Sequence, residues 1–298
     1  MSTSNIAAPA ALRGIVIATD FSPASDAAVL YSLALARRNN AKVWIVHVVS
    51  ESFFSADTQR RAVDDAWREG HRRMTEHLIA GRLDGIETKL LVEQGSIYET
   101  LTRVVEEQHA DLLVVGTRGR SRIGKLLLGS SAESIFRQAP CPVLTVGPRS
   151  EGDIPPEGPK KILFCTGFSR HSLAAGKMAV RLAARQGAEL VLLHVGADTE
   201  LDRDRYAKEA DVKLRSWLAA DEPISVPLKT MVRFGAASPT ILSVASEIRP
   251  DLIVLGIRQP EGFARRLRWA TAYDVVSNSL CPVLTVRTPD SEPSGSEG

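Results

Sequence analysis

Cysteine is scarce: the 298 residues hold three, Cys141, Cys165 and Cys281. They form no metal-binding or redox spacing. Cys141 and Cys281 stand at matching places in a repeat, each at the start of an apolar strand. All three are expected to be small buried core residues in a reducing, cytoplasmic setting. Charge of one sign is also lacking. A formal net charge of +2 argues against a surface dedicated to nucleic acid or to an anionic membrane. No run of about 18 apolar residues exists, so no membrane-spanning helix is expected. Residues 1–12 lack a basic start and a long apolar run, so no signal peptide is expected there. A short repeat period, of the kind that builds solenoids, is absent as well.

What is present is a long duplication. Arg13 to Ser22 (RGIVIATDFS) returns 147 positions later as Lys160 to Ser169 (KKILFCTGFS). Asp111 to Gly116 (DLLVVG) returns 140 positions later as Asp251 to Gly256 (DLIVLG). Cys141 to Val146 (CPVLTV) returns unchanged as Cys281 to Val286. The length suits two domains of ordinary size. We expect a tail over 1–12, a first domain over 13–148, a linker over 149–159, a second domain over 160–288 and a disordered tail over 289–298. The linker and final tail are read from composition (RSEGDIPPEGP and PDSEPSGSEG).

Each copy alternates strands with helices. In copy one, strands are expected at Gly14 to Thr19, Val43 to Val49, Ile86 to Val92, Leu112 to Val115 and Pro142 to Val146. Ser22-Pro23 opens the first helix, with serine as N-cap and proline at the first helical position. Ala56 to Leu83 reads as a polar helix with one apolar stripe. Ser96 and Glu99 form a capping box for the third helix. A fourth helix runs from about Ser130 to Gln138. In copy two, Ser238-Pro239 is expected to open the equivalent third helix. This rhythm predicts an α/β fold: two doubly wound domains, each a five-stranded parallel sheet flanked by helices.

The chemistry is expected after the fourth strand of copy one. Gly116 and Gly119 are followed by nine residues and then Gly129-Ser130-Ser131. Glycines let main chain approach a ligand. Ser130 opens a helix with Glu133 three residues on, and a helix N-terminus suits phosphate. Arg118, Arg120, Arg122 and Lys125 add positive charge. Ligands of open α/β sheets bind where the winding reverses, which the first and fourth strands flank here. Asp20 would then face Gly116 across the crevice, a carboxylate suited to a nucleoside hydroxyl or amine. The run GRSRIGKL nearly matches a P-loop, but Leu126 replaces the hydroxyl that binds Mg²⁺, and we treat it as coincidence. His47 and His194 recur at second-strand ends and read as satisfied core histidines.

The glycine-rich spacing, together with Ala18-Thr19-Asp20-Phe21-Ser22, His47-Val48 and the closing PVLTV strand, resembles the ATP-binding signature of the universal stress protein family. Both copies share the resemblance. It implies an adenine nucleotide, ATP with Mg²⁺, in copy one. Asp20 would contact ribose or adenine, with Ala18 and Thr19 beside it. Val48 and the backbone at Val115 would line the adenine pocket. Gly116, Arg118 and Gly119 would run along ribose and phosphates, and Gly129, Ser130 and Ser131 would bind the phosphates. Arg118 stands where members of that family often place histidine or another polar residue. The resemblance also implies that the closing strands of the two copies pair within the chain. A homodimer is a further expectation.

Copy two is edited. Gly167 replaces Asp20, Gln259 replaces Gly119, Trp269 replaces Gly129 and Ala270 replaces Ser130; Gly256 alone survives. Copy two is therefore expected not to bind ATP in that manner. Three function classes stay open: an ATP-binding regulatory protein of the stress response, a slow ATPase or nucleotidyl transferase, and an interaction module without nucleotide. No acidic pair or base can be placed at a γ-phosphate from the sequence, which disfavours the enzyme.

Overall fold

The computed structural model describes residues 12–50, 56–116, 130–147, 157–219, 225–258 and 270–288. The order in the first half is β1 (Gly14–Ala18), α1 (Pro23–Asn39), β2 (Lys42–Val49), α2 (Ala56–Ile79), β3 (Thr88–Gln94), α3 (Ile97–Glu107), β4 (Leu112–Gly116), α4 (Ser130–Gln138) and β5 (Val143–Val146). The second half repeats it with β6 (Lys161–Thr166), α5 (Arg170–Gln186), β7 (Glu189–Gly196), α6 (Arg203–Ala219), β8 (Leu228–Phe234), α7 (Ala237–Ile248), β9 (Leu252–Arg258), α8 (Ala270–Asn278) and β10 (Val283–Thr288). The fold is α/β.

All the strands join one ten-stranded sheet in the order β3-β2-β1-β4-β5-β10-β9-β6-β7-β8. Within each half every pairing is parallel. The halves meet at β5 and β10, which pair antiparallel with Leu144 opposite Leu284. Because the meeting segments are the same hexapeptide, the seam is nearly symmetric. Thr145 Oγ1 donates to Val283 O at 3.1 Å, and Thr285 Oγ1 donates to Val143 O at 3.2 Å.

Inner strands such as Gly14–Ala18 are apolar almost throughout because both faces of the sheet are covered. On one face, side chains of α1 and α5 share a single core with Ile15, Ile17, Leu144, Ile162 and Phe164 from both halves. The opposite face of the first half packs Val16, Val46, Val115 and Val143 against Leu101, Val104 and Ile135.

Local signals explain the element ends. Ser22 caps α1, its Oγ accepting from Ser25 N at 3.3 Å, with Pro23 at the first helical position. The chain leaves α1 through Asn40 at φ 52° and leaves α5 through Gly187 at φ 63°. That left-handed turn admits glycine freely and asparagine tolerably. Asp111 Oδ2 accepts from Arg13 N and Gly14 N at 2.6 and 3.1 Å, and Asp251 Oδ2 accepts from Lys160 N and Lys161 N, both at 2.8 Å. The repeated aspartate therefore pins the start of the first strand of its own half.

Two capping expectations are corrected. Ser96 is the N-cap of α3 by backbone geometry, but its side chain makes no capping bond. In the second half α7 begins at Ala237 with Ala236 as N-cap. Ser238 Oγ is drawn instead to the Asp274 carboxylate of α8, because an acceptor across the helix pair outcompetes the local backbone. The third strand also starts later than expected, at Thr88. Among the described residues no helix is long and apolar enough to cross a membrane.

Candidate functional site

The sheet reverses its winding between β1 and β4, which are hydrogen-bonded neighbours through Ile15↔Leu112, Val16↔Leu113 and Ile17↔Val114. The connections leaving their carboxyl ends diverge, to α1 in one case and toward α4 in the other, and this opens a crevice. Ala18, Val48 and Val115 reach it from three strands. All three pack on the same apolar cluster, which puts them on the face covered by α3 and α4. Ala18 and Val48 form a small, partly exposed apolar wall at the strand ends, with Val115 buried beside them. Gly116 follows Val115 as the last residue of β4 and pairs in register with Val146.

The turn from β1 to α1 is fixed by its own polar groups. Thr19 N donates to Val46 O at 2.9 Å. Thr19 Oγ1 accepts from Phe21 N at 3.0 Å and lies 3.1 Å from Ser25 Oγ. The Thr19 hydroxyl is thus buried within the turn. Asp20 Oδ1 accepts from Ser22 N at 3.0 Å, so the carboxylate is oriented by the helix start. Phe21 takes φ 59°, a left-handed conformation that a phenylalanine adopts only when its surroundings hold it. Here His47 stacks on its ring at 4.5 Å while donating from Nδ1 to Thr19 O at 2.8 Å. The Arg73 guanidinium covers the ring at 5.5 Å and pairs with Asp26.

The structure places the remaining candidates as follows. Arg118, Gly119 and Gly129 lie outside the described residues, as does the rest of 117–129. Ser130 and Ser131 form the first turn of α4. Their backbone N–H groups belong to the unsatisfied set at a helix start and carry its positive end. Glu133 pairs with Arg137 one turn on, Arg137 Nε donating to Oε1 at 2.9 Å. The described part of the site thus offers an apolar wall, an oriented carboxylate, a glycine at a strand end and a helix N-terminus.

The second half keeps the turn and changes the wall. His194 donates from Nδ1 to Thr166 O at 2.9 Å, and Phe168 has φ 59° with Lys213 Nζ 4.4 Å from its ring centroid. His194 Nε2 also meets Tyr206 Oη at 2.9 Å, and burial lowers its pKa. Both histidines are therefore part of the scaffold. Cys165 stands in place of Ala18 and Leu255 in place of Val115, both buried on the corresponding face. Gly167 supplies no carboxylate opposite Gly256. Gln259 and Trp269 lie outside the described residues.

A family model for the universal stress protein family matches residues 12–147 and 158–287. The chain belongs to the universal stress protein family. A universal stress protein of Mycobacterium tuberculosis (strain ATCC 25618 / H37Rv) is 26% identical over 295 residues, covering 94% of this chain and 98% of its own. One from Mycolicibacterium smegmatis is 25% identical over 288 residues, covering 92% and 97%. Among solved structures, a universal stress protein from Archaeoglobus fulgidus superposes with a TM-score of 0.72 at 19% identity, covering 92% of this chain and 98% of that one. At that identity the likeness speaks for the fold. This member of the family carries the Usp unit twice in one chain, with a single sheet running through both.

Sequence reasoning placed Tyr31 on the buried face of the first helix, as it is, but assigned no hydrogen bond to it and no role to Asp111, Asp251 or Arg287. The recurrence of the aspartate in DLLVVG and DLIVLG is the signal that could have found its structural role. Tyr31 donates from Oη to Asp251 O at 3.0 Å across the two halves. No local pattern announces that bond, or the reach of Arg287.

Proposed function

We propose that this universal stress protein binds an adenine nucleotide, ATP with Mg²⁺, in the first half only, and acts as a regulatory protein of the stress response. The observation that carries the reading is the contrast between the halves at one structural position. In the first half Ala18, Val48 and Val115 leave a shallow apolar wall beside Asp20, Gly116 and the start of α4. In the second, Cys165 and Leu255 thicken the wall and Gly167 removes the carboxylate. The residues fit the nucleotide: an adenine ring needs a flat apolar surface, ribose a carboxylate acceptor, and phosphates free N–H donors. Gly119 and Gly129, with Arg118 between strand and helix, would bring main chain and positive charge to the phosphates. Among the described residues no group of three or more His, Cys, Asp or Glu could hold a metal, so Mg²⁺ would arrive on the phosphates. In this reading the linker separates two Usp units that work as one pseudo-symmetric body, paired through β5 and β10.

The test is thermal. Ligand at about 100 times its Kd stabilises the folded state by about 2.7 kcal/mol. ATP with Mg²⁺ is expected to raise the melting temperature of the wild type, and Gly129→Trp, which copies the second half's edit, is expected to abolish the shift. ADP, AMP and cyclic AMP, run in parallel, rank the nucleotides. Absence of a wild-type shift with saturating ATP defeats the reading. Equal occupancy of both halves by calorimetry defeats the claim that one half works.

A further inference from the structure

The C-terminus of α4 is tied down more fully than its start would require. A helix leaves its last four carbonyls without partners. In α4 each of them is satisfied. Ile135 O accepts from Ala139 N at 2.9 Å. Phe136 O and Arg137 O accept from the guanidinium of Arg287, the latter at 2.6 Å from Nη1. Gln138 O accepts from Tyr98 Oη on α3 at 3.1 Å.

Arg287 comes from β10, in the other half of the molecule, some 150 residues away in sequence. It is 2% exposed. Burial lowers its pKa to about 10, which leaves it charged at neutral pH. A buried cation is costly unless its partners compensate. Here it lies at the negative end of a helix dipole, where a cation is favoured. The same half also packs on α4, with Phe136 edge-on to Tyr273 at a centroid distance of 6.4 Å and Ala132 and Phe136 sharing one apolar cluster with residues of α8 and β10.

The duplication supplies an internal control. At the position matching Arg287 the first half has Gly147, and at the position matching Tyr98 the second half has Ser238. The helix α8 therefore lacks both side chains. The helix whose last carbonyls are closed by these two side chains is the one that follows the intact glycine motif; Ser238 ties α8 instead at Asp274, in the middle of the helix. At nine residues, α4 is about 14 Å long, a rod short enough for its far end to set the placement of Ser130 and Ser131.

We propose that Arg287 and Tyr98 are positioning residues for the nucleotide site of the first half, and that the second half acts on that site through Arg287. The inference rests on the reading that the first half binds ATP. It gives the degenerate half a function: it supports the site in its neighbour. Nucleotide binding and the contact between halves are then linked, and each strengthens the other.

The experiment is calorimetric titration of ATP with Mg²⁺ into the full-length wild type, Arg287→Met, Arg287→Lys and Tyr98→Phe, well below their melting temperatures. Arg287→Met is expected to weaken binding about fivefold or more, Arg287→Lys to recover part of the loss, and Tyr98→Phe to weaken binding about twofold to threefold. A purely structural contact would lower the melting temperature without moving affinity. Folded Arg287→Met and Tyr98→Phe proteins that both bind ATP as the wild type does overturn the inference. So does a loss in Arg287→Met with no recovery by lysine and no effect of Tyr98→Phe. If Arg287→Met fails to fold, Tyr98→Phe decides alone: weakened binding supports the inference and unchanged binding overturns it. A wild type that binds no ATP overturns the functional reading instead, and this inference with it.

Discussion

Raising the pH from 7 to 10 should remove several kcal/mol of stability through the buried thiols. Burial pushes Cys141 up to about 12 from its ordinary 9.0, and it shifts Cys165 in the same direction. A thiol is charged only when deprotonated, so the folded state keeps both protons at pH 10 while the unfolded chain loses them. The contribution is fully present below the unfolded value near 9 and is lost as pH rises toward the folded value. One unit above the unfolded pKa, each thiol costs about 1.4 kcal/mol, or about 3 kcal/mol for the pair. Cys281 is partly exposed and is pushed up only to about 11; at pH 10 it still keeps its proton in the folded state, and it adds a similar share that is common to both proteins compared below. Against a domain stability of about 5–15 kcal/mol this is a large fraction. The assay is urea unfolding under reducing conditions at both pH values, for the wild type and for Cys141→Ala/Cys165→Ala. The double variant carries a constant packing penalty, but its loss between pH 7 and 10 should be about 3 kcal/mol smaller. Equal losses in the two proteins would refute the burial of the thiols and the packing that produces it.

Two further outcomes follow from the helix starts and from His194. Ser22→Ala should cost about 1 kcal/mol in urea unfolding because it removes a real capping bond, whereas Ser96→Ala should cost less than about half of that. His194 is held below its ordinary 6.5 by burial, opposed by its bond to Thr166, with Lys213 adding to the depression. Its contribution is present above pH 6.5 and is lost as pH falls through the lowered value. Unfolding curves at pH 7 and 5 should therefore show a loss that His194→Phe abolishes, and identical pH dependence in the two proteins would count against it.

The repeat told most of the fold in advance. Strand and helix types follow from apolar runs alternating with amphipathic segments, and Ser22-Pro23 marks a true helix start. The same reasoning failed at Ser96 and at Ser238. A capping motif shows only that a bond is available, and Ser238 found a carboxylate on another helix. Of the candidate site, Ala18, Asp20, Val48, Val115 and Gly116 are brought to one set of strand ends, as their places at strand termini imply. The sequence could not reveal that the Thr19 hydroxyl is consumed by its own turn. It depends on the left-handed Phe21, which in turn depends on His47 from the neighbouring strand.

By itself the sequence determined the duplication, the alternation of elements, the glycines kept in one copy and lost in the other, and the burial of Cys141 and Cys165, though not the partial exposure of Cys281. These are encoded in patterns a few residues long, where propensity and hydrophobic period decide. Tertiary structure alone decided that Arg287 closes the end of α4 and that Tyr31 reaches Asp251. Those contacts join residues 150 and 220 positions apart. They exist only because two strand edges meet and bring opposite halves of the chain within hydrogen-bonding distance.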